Sequence, residues 1–105
     1  MRTFWLVSAP VLAAAVVACS SSDPRADTIA KLTGDAAAGK ATYTSQCASC
    51  HGADAKSGTT AKNITGESNA EAYAQILAGG GGMPAFSSLS DQQIANVWAY
   101  VLTLK

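Results

Sequence analysis

The five residues Cys47-Ala48-Ser49-Cys50-His51 constrain this chain more than any other part of its 105-residue sequence. Two cysteines separated by two residues and followed at once by a histidine are the pattern through which a c-type haem is attached. On one helical turn, each thiolate can form a thioether to a haem vinyl group, and the histidine becomes the proximal ligand of the iron. The motif therefore predicts one covalently bound haem c and one-electron iron chemistry.

Other chemistries use a Cys-x-x-Cys pair, and each alternative makes a demand that this chain meets poorly. If Cys47 and Cys50 formed the active site of a thiol-disulfide oxidoreductase, the motif would be expected near a βαβ pattern. The flanking residues here are instead rich in alanine and serine and typical of a helix. A closed zinc site needs four ligands, and the chain has three cysteines and one histidine. Thiol redox chemistry remains a third hypothesis, which a haem spectrum would dismiss.

Because c-type haem is attached outside the cytoplasm, the haem prediction requires export, and the N-terminus has the expected signal. Residues 1–18 combine a positive start with an apolar run, Phe4 to Val17, and a small-residue cleavage region. That run is too short for a comfortable membrane span, which needs about twenty residues. Cys19 stands where a bacterial lipoprotein carries its lipidated cysteine, with Val16 in place of the usual leucine. We therefore predict a lipoprotein signal peptide and a bacterial membrane anchor facing the periplasm or cell exterior; a cleaved signal peptide or an uncleaved anchor is the alternative.

The segment after the anchor is polar, and it predicts how the chain is divided. Residues 19–33, which include three consecutive serines, read as a lipidated cysteine and a flexible tether. One domain is then expected at 34–105, where a buried haem would supply much of a small core. Seven basic and seven acidic residues leave no net charge, so a nucleic-acid partner is not expected.

Local signals predict helices and no convincing strand. Asp35 is a good N-cap for a helix that runs into the haem motif. Ser68–Glu71 forms a capping box for a short helix that stops at Gly79, and Ser90–Gln93 forms another for a terminal helix. The predicted buried stripe of that last helix is Ile94, Val97, Val101 and Leu104. The fold class is therefore all-α.

A second chemical feature is the loop Gly79–Phe86, which contains Met83, the sole methionine besides residue 1. Pro84 biases this methionine away from helical geometry. A thioether is a soft ligand that suits haem iron, and a His/Met pair raises the reduction potential. A methionine that merely fills a core gap is the commoner case, but the chain has no second histidine to complete the iron coordination. Met83 is therefore predicted as an axial ligand.

In their order along the chain, these parts resemble the small bacterial class I c-type cytochromes. The matching segments are Gly34–Tyr43, Cys47–Gly52, the Gly-rich Met83-Pro84 loop, and Leu89–Asp91 leading to Ala99–Val101. The resemblance implies three to four helices around one covalently bound haem, with the first and last helices crossing where Gly39 and Tyr43 meet Tyr100. Where the family often has Gly-Pro-Asn-Leu, this chain has Ala61-Lys62-Asn63-Ile64, so the Lys62 carbonyl would accept from the proximal histidine.

The resemblance implies a monohaem electron carrier, not an enzyme, tethered to a bacterial membrane and exchanging electrons with redox protein partners. Cys47 and Cys50 would hold the ring, while His51 and Met83 would bind iron that cycles between Fe(II) and Fe(III). The alternative is a haem-based peroxidase or gas sensor with a displaceable Met83, because those functions need an open iron position.

Overall fold

The computed structural model describes residues 23–59 and 63–105, and within those ranges the chain forms five helices and no strand. The helices are α1 (Pro24–Ala30), α2 (Ala36–Gln46), α3 (Ala48–His51), α4 (Asn69–Ala78) and α5 (Asp91–Thr103). The all-α prediction is confirmed. The predicted signal peptide at 1–18, the lipidation at Cys19 and the Lys62 carbonyl lie outside the described residues.

Side-chain caps start the three longer helices at the predicted positions. The Asp35 carboxylate accepts from the first-turn amides of α2, and the Ser68 hydroxyl accepts from the Glu71 amide of α4. At α5 the capping box is complete, because the side chains of Ser90 and Gln93 each accept from the other residue's backbone amide. Each cap satisfies backbone donors that the first helical turn leaves without partners.

Helices α2 and α5 cross closely, as the resemblance implied. A Cβ atom added at Gly39 would overlap the Asn96 carbonyl oxygen and lie 2.8 Å from the Val97 nitrogen. The rings of Tyr43 and Tyr100 pack at the same crossing, with centroids 5.5 Å apart and planes inclined by 52°. A glycine therefore lets the two backbones approach, and two aromatic rings fill the space beside them.

The predicted flexible tether over residues 19–33 is wrong for Pro24–Ala30, which form α1. Asp23 caps this helix, with a proline at its first position, where the missing N–H costs nothing. Ile29 is 0% exposed and Ala26 is buried, and the helix packs against both α4 and α5. The described fold therefore includes an N-terminal helix ahead of Gly34, where we expected the domain to begin.

Candidate haem site

A cavity of about 770 Å³ lies between the α2–α3 segment, α4, the glycine loop and α5. Its apolar wall includes Ile64, Ile76, Phe86, Val97, Trp98 and Val101. All four residues predicted to hold the haem, Cys47, Cys50, His51 and Met83, line this one cavity. Residues 36 positions apart in sequence are thus brought to the same space, which is within the usual size range for cofactor sites.

The two predicted thioether cysteines flank the start of α3. Cys47 is the residue at which α2 ends and α3 begins, and Cys50 lies within the single turn of α3. Both thiols are free and half-buried. Burial, with a smaller contribution from Cys50, raises the pKa of the Cys47 thiol to about 11. Both sulfurs therefore line the cavity unpaired, as attachment of a haem requires.

The His51 imidazole has the properties of a metal ligand. Burial lowers its pKa below the ordinary value, which favours the neutral ring that binds metals. Its Nδ1 atom is buried and has no hydrogen-bond partner in the structure as described. Iron-bound histidines normally donate their second ring N–H to a fixed acceptor. Two thiols, a neutral imidazole and a thioether around one apolar cavity fit haem c.

Two residues outside the predicted ligand set lie against the haem motif or against Gly52, which follows it. The Tyr43 hydroxyl donates to the Gly52 carbonyl at 2.7 Å, and burial, ahead of the nearby Cys47 thiol, raises the pKa of Tyr43 to about 12. A Cβ atom at Gly58 would overlap the Cys50 carbonyl oxygen. Spacing alone did not reveal Gly58, since its close approach to the motif depends on the path of the intervening loop.

The glycine run forms a tight turn that presents Met83 to the cavity. The Gly80 amide donates to the Met83 carbonyl at 2.9 Å, and the Met83 amide donates to the Gly80 carbonyl at 3.1 Å. Gly81 and Gly82 have φ angles of 61° and 91°, a conformation that residues with a Cβ rarely adopt. The consecutive glycines are therefore required by the backbone path that precedes the methionine.

Gln75 is a contact of the site that sequence reasoning missed. Its Nε2 atom lies 3.8 Å from the Met83 sulfur and 3.4 Å from the Gly80 carbonyl oxygen. The only available signal was a polar residue one turn before the end of α4. The contact of Gln75 with Met83 forms only because the loop folds back over the end of α4, and local sequence patterns do not show that path.

Trp98 is buried in the core and also forms part of the cavity wall. The side chain is 3% exposed, and its indole N–H donates to the Asn69 side chain at 2.8 Å. This bond joins α5 to the start of α4 and satisfies the indole donor inside the fold. The ring therefore contributes its apolar face to the cavity with no unpaired polar atom.

Comparison with known proteins agrees with the all-α fold. A family model described as cytochrome c oxidase, cbb3-type, subunit III matches residues 34–101. The chain is 40% identical over 80 residues to cytochrome c6 of Rippkaea orientalis (strain PCC 8801 / RF-1), covering 68% of this chain and 72% of the relative. It is 36% identical over 81 residues to cytochrome c6 of Diacronema lutheri, covering 67% and 96%. Cytochrome c6 of Leptolyngbya boryana is 40% identical over 77 residues, covering 65% and 91%. No solved structure matches significantly.

The chain belongs to the class I c-type cytochromes, and the predicted resemblance is confirmed. It accordingly binds one covalently attached haem c, a cofactor that the spacing of Cys47 and Cys50 fits, and it is a monohaem electron carrier. Among the helices of the described ranges, none is both long enough and apolar enough to cross a membrane.

Proposed function

We propose that this chain is an electron carrier tethered to a bacterial membrane by a lipid on Cys19, with His51 and Met83 as axial ligands of the haem iron. The observation that supports this proposal best is the single cavity lined by His51, Met83 and both motif cysteines. Haem c bound there supplies a one-electron ferrous/ferric couple.

The two proposed axial ligands come from different elements that line the same cavity. His51 is fixed by α3, which directly continues α2, and Met83 is fixed by the turn that follows α4. Apolar side chains of α5 complete the wall of the cavity. A closed coordination sphere transfers electrons without making or breaking bonds to iron, so the chain would turn over no substrate.

The second candidate function is a haem peroxidase or gas sensor in which Met83 leaves the iron. One observation favours it: the three residues before Met83 are glycines with positive φ angles, so the loop has little intrinsic stiffness. Retention of the methionine in the ferrous protein separates the two functions. For the carrier, the partners are an electron donor and an electron acceptor, both redox proteins.

The proposed location is outside the cytoplasm, at a membrane facing the periplasm or the cell exterior. The signal-like residues 1–18 and the attachment chemistry of c-type haem support export. Because the described fold begins at Asp23, three serines separate it from Cys19. At about 3.5 Å per extended residue, the four steps from Cys19 to Asp23 span at most about 14 Å. A lipid on Cys19 would therefore hold the haem domain close to the membrane surface.

Cys19→Ser is expected to release the protein into the soluble extracytoplasmic fraction, because the substitution removes the lipid attachment atom. Haem should be retained, since Cys47, Cys50 and His51 are unchanged. Membrane fractionation with haem staining measures both results, and Ser21→Ala serves as a control that stays with the membrane. Mass spectrometry of the wild-type N-terminal peptide should show a lipid on Cys19, whereas a soluble, unmodified wild-type protein would rule out this anchor.

The carrier proposal as a whole is tested by the haem content of the exported protein. We expect one haem per chain that survives denaturation and a haemochrome spectrum of the thioether type. Cys50→Ala should weaken attachment to a single thioether, and its spectrum should shift accordingly. A colourless exported protein with an active Cys47–Cys50 dithiol would instead support the oxidoreductase hypothesis.

A further inference from the structure

We propose that α1 is a clamp on the Met83 loop and that Arg25 is its positioning residue, holding the methionine where it can bind iron. This inference rests on the proposed axial ligation by Met83. We define the ligand loop as residues 79–90, which join α4 to α5 and include the methionine.

Arg25 joins α1 to the C-terminal half of the ligand loop and to the start of α5, and it uses all three guanidinium nitrogens to do so. Nη1 donates to the Ser87 carbonyl at 2.8 Å, and Nη2 donates to the Leu89 carbonyl at 2.7 Å. Nε donates to the carboxylate of Asp91, the first residue of α5, at 2.8 Å. The planar fork thus satisfies two main-chain carbonyls and one carboxylate at once, a geometry that lysine cannot reproduce.

The glycine-rich first half of the ligand loop has few restraints from other elements. A Cβ atom added at Gly80, Gly81 or Gly82 would meet no atom within 4 Å in the part of the chain that the structure describes. The glycine Cα atoms of this turn therefore have open space beside them, and the side chain of Gln75 on α4 provides the turn with a contact at the Gly80 carbonyl. Glycines also lose the most conformational freedom when ordered. Beyond the turn, the Phe86 amide donates to the Ile76 carbonyl at 2.8 Å. The returning half of the loop is held by this bond, by the buried side chain of Leu89 and by the two hydrogen bonds from Arg25.

The position of α1 makes it suitable as a clamp. It packs against α4, which precedes the ligand loop, and against α5, which follows it. Ile29 anchors the helix with a fully buried side chain. Asp23 accepts a hydrogen bond from the Arg25 amide at 2.9 Å, which fixes the turn that carries the guanidinium group. Docking of α1 therefore fixes the Arg25 donors against the loop carbonyls.

The family match covers residues 34–101, so α1 lies ahead of the matched segment. The clamp is thus a contribution of this chain's own N-terminal extension to the shared domain. Because the loop carbonyls lose their donors when α1 detaches, detachment favours the state in which Met83 has left the iron. Docking of α1 and ligation by Met83 are therefore coupled equilibria.

The test compares ligand exchange at the ferric haem of the full-length wild-type and Arg25→Gln holoproteins. Cyanide binds only when Met83 is off the iron, so its binding rate reports the population of that state. We expect Arg25→Gln to raise the rate about tenfold, since hydrogen bonds from a charged donor are the stronger class. Hydrogen exchange at the Phe86 and Leu89 amides should accelerate in parallel. The reduction potential should fall, because the ferric form with Met83 detached becomes more populated.

Three further variants separate positioning from general stability. Asp35→Ala removes the N-cap of α2 and lowers stability away from the ligand loop, so its cyanide rate should stay near that of the wild type. Asp91→Asn weakens the ion pair but leaves both loop carbonyls bonded, so it should have a smaller effect than Arg25→Gln. Arg25→Lys, which is used alone if Arg25→Gln fails to fold, should fall between the wild type and Arg25→Gln.

The clamp is overturned if Arg25→Gln binds cyanide at the same rate as Asp35→Ala, and Arg25→Lys takes the place of Arg25→Gln if that variant fails to fold. The proposed function would remain intact. If the wild-type ferric protein lacks the sulfur-to-iron absorption band, the proposed ligation by Met83 is wrong, and the clamp is overturned with it. The band in the wild type thus distinguishes failure of the proposed function from failure of this inference.

Discussion

Met83→Ala is expected to leave the haem covalently attached while opening one coordination position of the iron. Cys47, Cys50 and His51 are unchanged, so attachment and proximal ligation should persist. Loss of the thioether removes a ligand that favours ferrous iron, so the reduction potential should fall by on the order of 100 mV, within the roughly 0.8 V range that axial ligands set. The ferric sulfur-to-iron band should disappear, and the iron should bind carbon monoxide or cyanide readily.

A matched control for this variant lies two residues further along the same loop. Ala85 is exposed, so Ala85→Ser should retain the absorption band, the potential and the slow ligand binding of the wild type. Persistence of the sulfur-to-iron band in Met83→Ala would show that Met83 is not the ligand. Visible and near-infrared spectra with a redox titration measure all of these properties on one sample.

Gly39→Val is expected to cause the largest loss of stability among the single substitutions considered. The new Cβ would overlap the Asn96 carbonyl oxygen and lie 2.8 Å from the Val97 nitrogen, and both are backbone atoms of α5. Backbone atoms cannot rotate away, so the two helices must separate. Overpacking typically costs about 1–3 kcal/mol, and a side chain forced against backbone belongs at or above the upper end. Small domains have only about 5–15 kcal/mol in total.

Gly66→Val provides a matched control, because a Cβ there would meet no described atom within 4 Å. Thermal denaturation and the yield of exported haem protein should show a strong loss for Gly39→Val and little change for Gly66→Val. Equal behaviour of the two variants would mean that the close approach of α2 and α5 is wrong.

The parts of the structure that sequence reasoning reached are those fixed by local chemistry. Asp35 and Ser90 act as caps through amides two or three residues away, so their positions are visible in short windows of sequence. The haem motif is similarly local, because its cysteines and histidine share one turn. Gly39 and Tyr43 could not be placed from short windows, and the family resemblance supplied the helix crossing and Tyr100 as the partner of Tyr43. The backbone of Asn96, against which Gly39 lies, was not predicted.

The parts that sequence reasoning missed depend on distant contacts. Helix α1 has seven residues, too few to show helical periodicity, and it follows a run of serines that reads as a tether. Its Arg25 finds partners 62 to 66 residues further along the chain. The contact of Gln75 with Met83 likewise exists only because the ligand loop folds back over the end of α4. No short window of sequence contains these pairs.

Carbon monoxide binding to the wild-type ferrous protein at neutral pH tests the central claim most directly. A carrier whose iron is closed by His51 and Met83 should bind the gas slowly or not at all, and its ferric form should show the sulfur-to-iron band. Met83→Ala should bind the gas rapidly in the same experiment, which shows that access to the cavity is not the limit. Rapid binding by the wild-type protein would contradict electron transfer through a closed site and would favour the gas-sensor or peroxidase function.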